Sequence, residues 1–116
     1  GISDEFNAAM LRVQTATGMA DEEKAIAHIG EGFKGWTADE VLGIALFSVI
    51  RHPDDFAACV IRSVNNSGDS DSIGCVAGAL QGARLGVSAI PGKWIQGIER
   101  RQDLETLGDK LAAAAA

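Results

Sequence analysis

Four glycines recur at every fourth position of an apolar run, and they limit what this chain can fold into more than any other feature. They are Gly74, Gly78, Gly82 and Gly86. On a helix this spacing puts all four on one face. Each glycine inside a helix costs about 0.5–1 kcal/mol relative to alanine. We therefore predict that another backbone packs closely against this face and that the helix is central to a bundle. A loosely packed helix of small residues is the alternative.

Helical patterns recur along the rest of the chain, and the alternation typical of strands is nearly absent. Helices are predicted over 4–17, from Asp21 to about 29, over 38–51, 53–65 and 70–85, after Pro91, and around Leu104–Leu111. The predicted start signals are Ser3, Asp21, a capping box of Thr37 and Glu40, and Pro53 followed by Asp54 and Asp55. The 116 residues are thus predicted to form one all-α domain, residues 1–116, of five to seven helices, with 38–51 as its most buried helix.

Composition narrows the classes of partner. The net charge of −6 argues against binding to nucleic acid, which requires a basic surface. No apolar run reaches the roughly 18 residues of a membrane span, so no membrane contact is predicted. Cys59 and Cys75 lie in apolar stretches without forming a motif, and we interpret both as buried free thiols. These features predict a cytoplasmic protein.

The segment 68–74, GDSDSIG, is the one stretch that suggests chemistry. Asp69, Asp71 and Ser72 offer three hard oxygen ligands, the kind that Mg²⁺ and Mn²⁺ prefer. Acidic residues also stabilise a helix N-terminus without any ligand, so a helix cap is the alternative. The three side chains can converge only if Asp69 lies in the loop before the helix, where Gly68 allows a sharp turn.

Other sites are less well supported by the sequence. An EF-hand loop starting at Asp69 would have Ile73 and Leu80 at positions that require oxygen ligands, which excludes it. His28 and His52 stand alone and are interpreted as structural or solvated. Two carboxylates and a hydroxyl do not complete an octahedral shell. The metal site would therefore need further oxygens from water, a ligand or other residues.

Four blocks of the sequence resemble the C-terminal part of the ADP-ribosylglycohydrolase family, which includes the dinitrogenase-reductase-activating glycohydrolase. They read GWTADEVL (35–42), ACVIRSVNNSGDSDSIG (58–74), VAGALQGARLG (76–86) and AIPGKW (89–94). The resemblance covers roughly residues 20–112. It implies an all-α orthogonal bundle that uses Mg²⁺ or Mn²⁺ to hydrolyse the bond between ADP-ribose and a protein side chain. It also implies that Asp69, Asp71 and Ser72 are metal ligands, although the family often has Thr at the position of Ser72.

The chain departs from the family in length. Family members carry an N-terminal half with a Thr-Asp-Asp ligand group and a Glu-containing acidic segment, and residues 1–20 match neither. We therefore expect a truncated module that is incomplete as an enzyme, and the sequence identifies no catalytic residues in it. It would share its site with a separate N-terminal half and act on an ADP-ribosylated substrate.

The alternative from another functional class is a non-catalytic, stand-alone helical domain for binding or assembly. Both interpretations predict an exposed apolar face and a homodimer or higher homo-oligomer.

Overall fold

The computed structural model describes residues 3–32 and 34–116. In this part of the chain the secondary structure is entirely helical, which confirms the all-α prediction. The helices are α1 (Asp4–Thr17), α2 (Glu22–Ile29), α3 (Ala38–Arg51), α4 (Phe56–Val64), α5 (Ser70–Leu85), α6 (Gly92–Gly97) and α7 (Arg101–Ala115), with a 3₁₀ turn at Val87–Ala89. The described residues thus form seven α-helices, the upper end of the predicted range.

The first two helices begin at the capping residues that the sequence predicts. The Ser3 hydroxyl accepts a hydrogen bond from the Phe6 N–H (3.1 Å), and the Asp21 carboxylate accepts one from the Lys24 N–H (3.2 Å). Each bond satisfies one of the N–H groups that a helix leaves unpaired in its first turn. Local sequence therefore determines where α1 and α2 start.

Helix α4 begins three residues later than predicted. Pro53 and Asp54 lie in a turn, and the Asp55 carboxylate caps the helix by accepting from the Ala58 N–H (2.9 Å). The Pro53 carbonyl accepts hydrogen bonds from Gln81 Nε2 (3.2 Å) and Arg84 Nη1 (2.8 Å) of α5. Because these long-range bonds hold the turn against α5, Pro53 does not serve as the first residue of α4.

The predicted capping box at α3 is wrong, because its threonine does not form the expected hydrogen bond. Thr37 occupies the N-cap position, but its side chain makes no capping hydrogen bond. Glu40 is only 2 % exposed; its carboxylate accepts from the Gly35 N–H (2.9 Å) and lies 3.9 Å from the Arg12 guanidinium. Glu40 therefore also holds the loop before the helix, because a buried carboxylate needs hydrogen-bond donors and a nearby opposite charge.

The core is aliphatic and is centred on α3. This helix has eight buried residues, more than any other described helix, which confirms the prediction for 38–51. One cluster joins α1, α2, α3 and α5, and a smaller one joins α3, α4 and α5. Their buried members are Val13, Ala16, Ala25, Ile26, Ile29, Val41, Ile44, Phe47 and Ile73 in the first, and Ala45, Val49, Cys59 and Ala77 in the second.

Helix α5 packs between α3 and α4, as the glycine pattern predicts, but a different contact explains the pattern. The glycine face meets apolar side chains of α4 that share its four-residue spacing, so the predicted backbone-to-backbone approach is wrong. The facing pairs are Gly74 with Val64, Gly78 with Val60 and Gly82 with Phe56. Gly86 ends the helix with a positive φ of 81°, a conformation that favours glycine.

Two further predictions are tested by the structure. Cys59 is fully buried, as predicted, but the prediction for Cys75 is wrong. Cys75 is exposed because it lies about 160° around α5 from the buried Ile73 and Ala77. None of the described helices combines the length and the apolar character that crossing a membrane requires.

Candidate metal site

The three predicted ligands lie together at the start of α5. Asp69 occupies the N-cap position, and Asp71 and Ser72 follow in the first turn. Asp69 and Ser72 are half-buried, and Asp71 is exposed. This is the arrangement that convergence on one ion requires, because residues two apart on a regular helix point in different directions.

The Asp69 side chain does not cap α5. Asp21 and Asp55, the other two aspartates at N-cap positions, each accept a hydrogen bond from the first turn of their helix. Asp69 makes no such bond, and its ψ of 74° is smaller than the 107° and 100° of the two capping aspartates. The alternative of a simple aspartate cap is therefore not realised at Asp69.

The loop before α5 sets this unusual backbone conformation. The Asp69 N–H donates to the Lys34 carbonyl (3.2 Å), and the Gly68 N–H donates to the Asn66 side chain (2.7 Å). A methyl group at Gly68 would overlap the Lys34 carbonyl oxygen. Gly68 is therefore needed for close approach between two loops, and not for the positive φ of a sharp turn.

The electrostatics of the site favour an ionised Asp71. The pKa of Asp71 is lowered, first by hydrogen bonding with the Asp69 carboxyl group and then by the Ser72 N–H, which donates to Asp71 Oδ1 at 2.9 Å. The two carboxyl groups thus lie within reach of each other, and Ser72 follows Asp71 in the same turn. The chemistry of this donor set fits a hard divalent cation such as Mg²⁺ or Mn²⁺.

A second loop, at residues 34–36, supports the site and was not identified from the sequence. Lys34 and Gly35 both have positive φ angles, 57° and 76°. A Cβ atom at Gly35 would lie 2.8 Å from Ile73 Cδ1, so the loop packs directly on the first turns of α5. The Gly35 N–H bond to the buried Glu40 fixes this position. The only sequence signal for it was the run of glycines at 30, 32 and 35.

A cleft of about 240 Å³ adjoins both loops, between the end of α2 and the 66–68 segment. Its polar lining residues are Glu23, Glu31, Lys34, Asn66 and Ser67. Across residues 3–32 and 34–116, no three His, Cys, Asp or Glu side chains are grouped so that they could hold a metal by themselves. The described residues therefore offer two carboxylates and a hydroxyl at this site.

Comparisons with known proteins identify the family of this chain. The family model for ADP-ribosylglycohydrolase matches residues 2–116, a range that includes all seven helices. An uncharacterized protein of Archaeoglobus fulgidus is 32 % identical over 108 residues, which cover 93 % of this chain and 33 % of that protein. The ADP-ribosyl-[dinitrogen reductase] glycohydrolase of Rhodospirillum rubrum is 40 % identical over 52 residues, or 45 % of this chain and 18 % of the relative.

An ADP-ribosylhydrolase of Mus musculus is 26 % identical over 103 residues, which cover 80 % of this chain and 27 % of the relative. No solved structure matches the chain significantly. The chain spans about a third or less of the length of these curated relatives. The match of the family model over nearly all residues confirms the resemblance: this chain belongs to the ADP-ribosylglycohydrolase family.

Proposed function

We propose that this chain supplies one side of the active site of a metal-dependent ADP-ribosylglycohydrolase. The reaction would be hydrolysis of the glycosidic bond between ADP-ribose and a protein side chain. Family membership supports the reaction class. The observation that carries the metal site is the Asp69 side chain, which stands at an N-cap position but makes no capping bond, beside the ionisable Asp71 and the Ser72 hydroxyl.

Each residue of the site has a distinct role in this proposal. Asp69 and Asp71 provide the negative charge that attracts Mg²⁺ or Mn²⁺, and Ser72 adds a neutral oxygen ligand. When bound, the metal supplies positive charge that orients ribose hydroxyls and a water molecule. The Lys34 carbonyl accepts a hydrogen bond from the Asp69 N–H and so fixes the backbone that carries the first of these carboxylates.

The proposed site needs donors from outside the described residues. Two carboxylates and a hydroxyl leave about half of an octahedral shell to other oxygens. Because the chain matches about a third or less of the length of these relatives, we propose that an N-terminal half of the kind the family carries provides the remaining groups. The chain alone is then expected to bind the metal weakly and to turn over little or no substrate.

A metal titration tests this proposal. We expect Mn²⁺ and Mg²⁺ to raise the melting temperature of the wild type, because a ligand that binds only the folded state stabilises it; at ten times Kd the gain is about 1.4 kcal/mol. The variant Asp69→Asn/Asp71→Asn is expected to lose this metal-dependent gain. Asp4→Asn/Glu5→Gln, in the exposed first turn of α1, removes the same charge and should keep it. Equal gains in the wild type and the site variant would overturn the metal assignment.

The alternative is a module for binding or assembly without chemistry, and one observation favours it. An apolar groove of about 570 Å³ runs between α5 and the α6–α7 segment, lined in part by Phe56, Val60, Gly78 and Trp94. An assay of ADP-ribose release from an ADP-ribosylated protein, with and without Mn²⁺, separates the two functions. Release that requires Mn²⁺ and disappears in Asp69→Asn/Asp71→Asn would exclude the alternative.

A further inference from the structure

We propose that α7 is a dimerisation helix, and that it pairs in antiparallel orientation with α7 of a second copy of this chain. Every residue of α7 is exposed. Leu104, Leu107 and Leu111 are 50 %, 54 % and 63 % exposed. Their spacing of three and four residues puts them on one stripe along the helix. An exposed stripe of this kind is the usual surface for packing against another helix.

The body of the same chain does not cover this stripe. On its inner side α7 borders the apolar groove, to which it contributes Leu104 and Gly108. Leu107 and Leu111 are not among the described residues that line the groove. At about 100° per residue, Leu107 lies roughly 60° to one side of Leu104 and Gly108 roughly 40° to the other. The leucine stripe therefore points to one side of the groove and toward solvent.

The outer surface of α7 has a depression that fits a leucine. The depression has a volume of about 360 Å³, and its lining includes Arg100, Asp103, Leu104 and Leu107. These four residues have the spacing i, i+3, i+4 and i+7, which forms the four-residue hole that accepts a side chain from a facing helix. In an antiparallel pair centred on Leu107, the side chain opposite this hole is the second copy's Leu111.

The charges on α7 select the second copy as the partner. Asp103 and Lys110 lie within about 20° of each other on the same flank of the leucine stripe. A two-fold axis brings this flank against the same flank of the second copy. Asp103, four residues before Leu107, then lies beside the second copy's Lys110, three residues after Leu107, and the reverse pair forms as well. Within one chain, Arg100 Nε also forms an ion pair with the Asp103 carboxylate, at 2.9 Å.

The size of the contact predicts how strong the dimer is. Three half-exposed leucines from each chain, with two ion pairs per dimer, form a smaller interface than the standard one, in which each partner buries about 800 Å². We therefore expect a concentration-dependent dimer with a dissociation constant in the micromolar range. The dimer does not depend on the proposed metal site, so its failure would leave the proposed function untouched.

Sedimentation velocity over roughly 5–500 μM tests the leucine stripe. The wild type should pass from monomer to dimer, and Leu107→Glu/Leu111→Glu should weaken the dimer by roughly a hundredfold because it buries charge against leucine. Leu11→Glu is the matched control: Leu11 is an equally exposed leucine, at 62 %, on α1, and its substitution should leave the dimer unchanged. A wild type that stays monomeric, or forms species larger than a dimer, overturns the proposal.

A charge exchange tests the antiparallel orientation. Asp103→Lys and Lys110→Asp should each weaken the homodimer by roughly tenfold, because each puts like charges opposite one another. The two single variants mixed should form a heterodimer, and the double exchange Asp103→Lys/Lys110→Asp should restore the homodimer. Circular dichroism confirms that each variant stays helical. Failure of both the mixture and the double exchange to restore pairing overturns the antiparallel register.

Discussion

Three aspartates at helix starts show how one residue type serves different purposes. Asp21 and Asp55 use their carboxylates to cap α2 and α4, whereas Asp69 does not cap α5. The difference comes from the backbone, because the Asp69 N–H is bonded to the Lys34 carbonyl of a loop that is distant in the sequence. A tertiary contact thus leaves a carboxylate available for a ligand at a position where local chemistry would use it for capping.

At Gly68 we predict that a single methyl group disrupts the loop. Gly68→Ala would push against the Lys34 carbonyl, a backbone group that cannot rotate away. Overpacking of this kind typically costs about 1–3 kcal/mol of unfolding free energy. Urea denaturation measures the loss. Ser67→Ala, at the exposed neighbouring residue, should change the unfolding free energy by less than about 0.5 kcal/mol; equal effects of the two substitutions would contradict the packing argument.

The two cysteines should differ in reactivity. Burial raises the pKa of the Cys59 thiol, against a smaller opposite effect of Arg84, and Cys75 is exposed. One thiol per folded chain should react with a disulfide reagent, and the second only after unfolding. Because the raised pKa favours the protonated folded state, the contribution of Cys59 to stability is complete below about pH 8.5 and declines as the pH rises above it. Rapid labelling of folded Cys75→Ser would contradict this assignment.

At the scale of the elements, α4 and α5 fit together through a row of side chains and a row of glycines. The three facing pairs are not equally tight. A Cβ atom at Gly74 would lie 2.5 Å from Val64 Cγ1, whereas one at Gly78 would lie 4.0 Å from Val60. A Cβ atom at Gly82 would lie 3.8 Å from Phe56, also an ordinary contact, so close approach explains only the first glycine.

This difference predicts opposite effects of the same substitution along one helix. Gly78→Ala and Gly82→Ala should each stabilise the protein by about 0.5–1 kcal/mol, because alanine lowers the entropic cost of the helix and ordinary contacts accommodate it. Gly74→Ala should gain nothing or lose up to about 3 kcal/mol, because Val64 must shift. Thermal denaturation of the three variants provides the comparison. Equal stabilisation at all three positions would contradict this prediction, because it would show that Val64 can shift without a cost in stability.

At the scale of the whole molecule, burial is uneven. The core clusters draw on α1 to α5, whereas the 3₁₀ turn, α6 and α7 have no buried residue. One contact between the two parts is the edge-to-face packing of Trp94 on Phe56, with ring centres 6.2 Å apart. Few buried contacts mean low local stability.

Hydrogen exchange should show this division directly. At concentrations low enough to keep the chain monomeric, backbone amides of α3 and α5 should exchange slowest and those of α7 fastest, because α7 can open without exposing core residues. Mass spectrometry of peptides from each helix measures the rates. Raising the protein concentration should slow exchange in α7 selectively if the proposed dimer forms. Protection of α7 equal to that of α3 in the monomer would contradict the uneven burial.

Sequence alone determined the helical class, the starts of α1 and α2, the bounds of α5, the placement of Asp69, Asp71 and Ser72 at its N-terminus, and the family. These features depend on periodicity, on capping bonds that span three residues, or on motifs, all of which are readable within a short window. Tertiary structure decided the late start of α4, the bonding of Glu40, the exposure of Cys75 and the absence of a capping bond at Asp69. Each depends on a partner far away in the sequence, such as the Pro53 carbonyl with Arg84 or the Lys34 carbonyl with Asp69, and no local pattern records those partners.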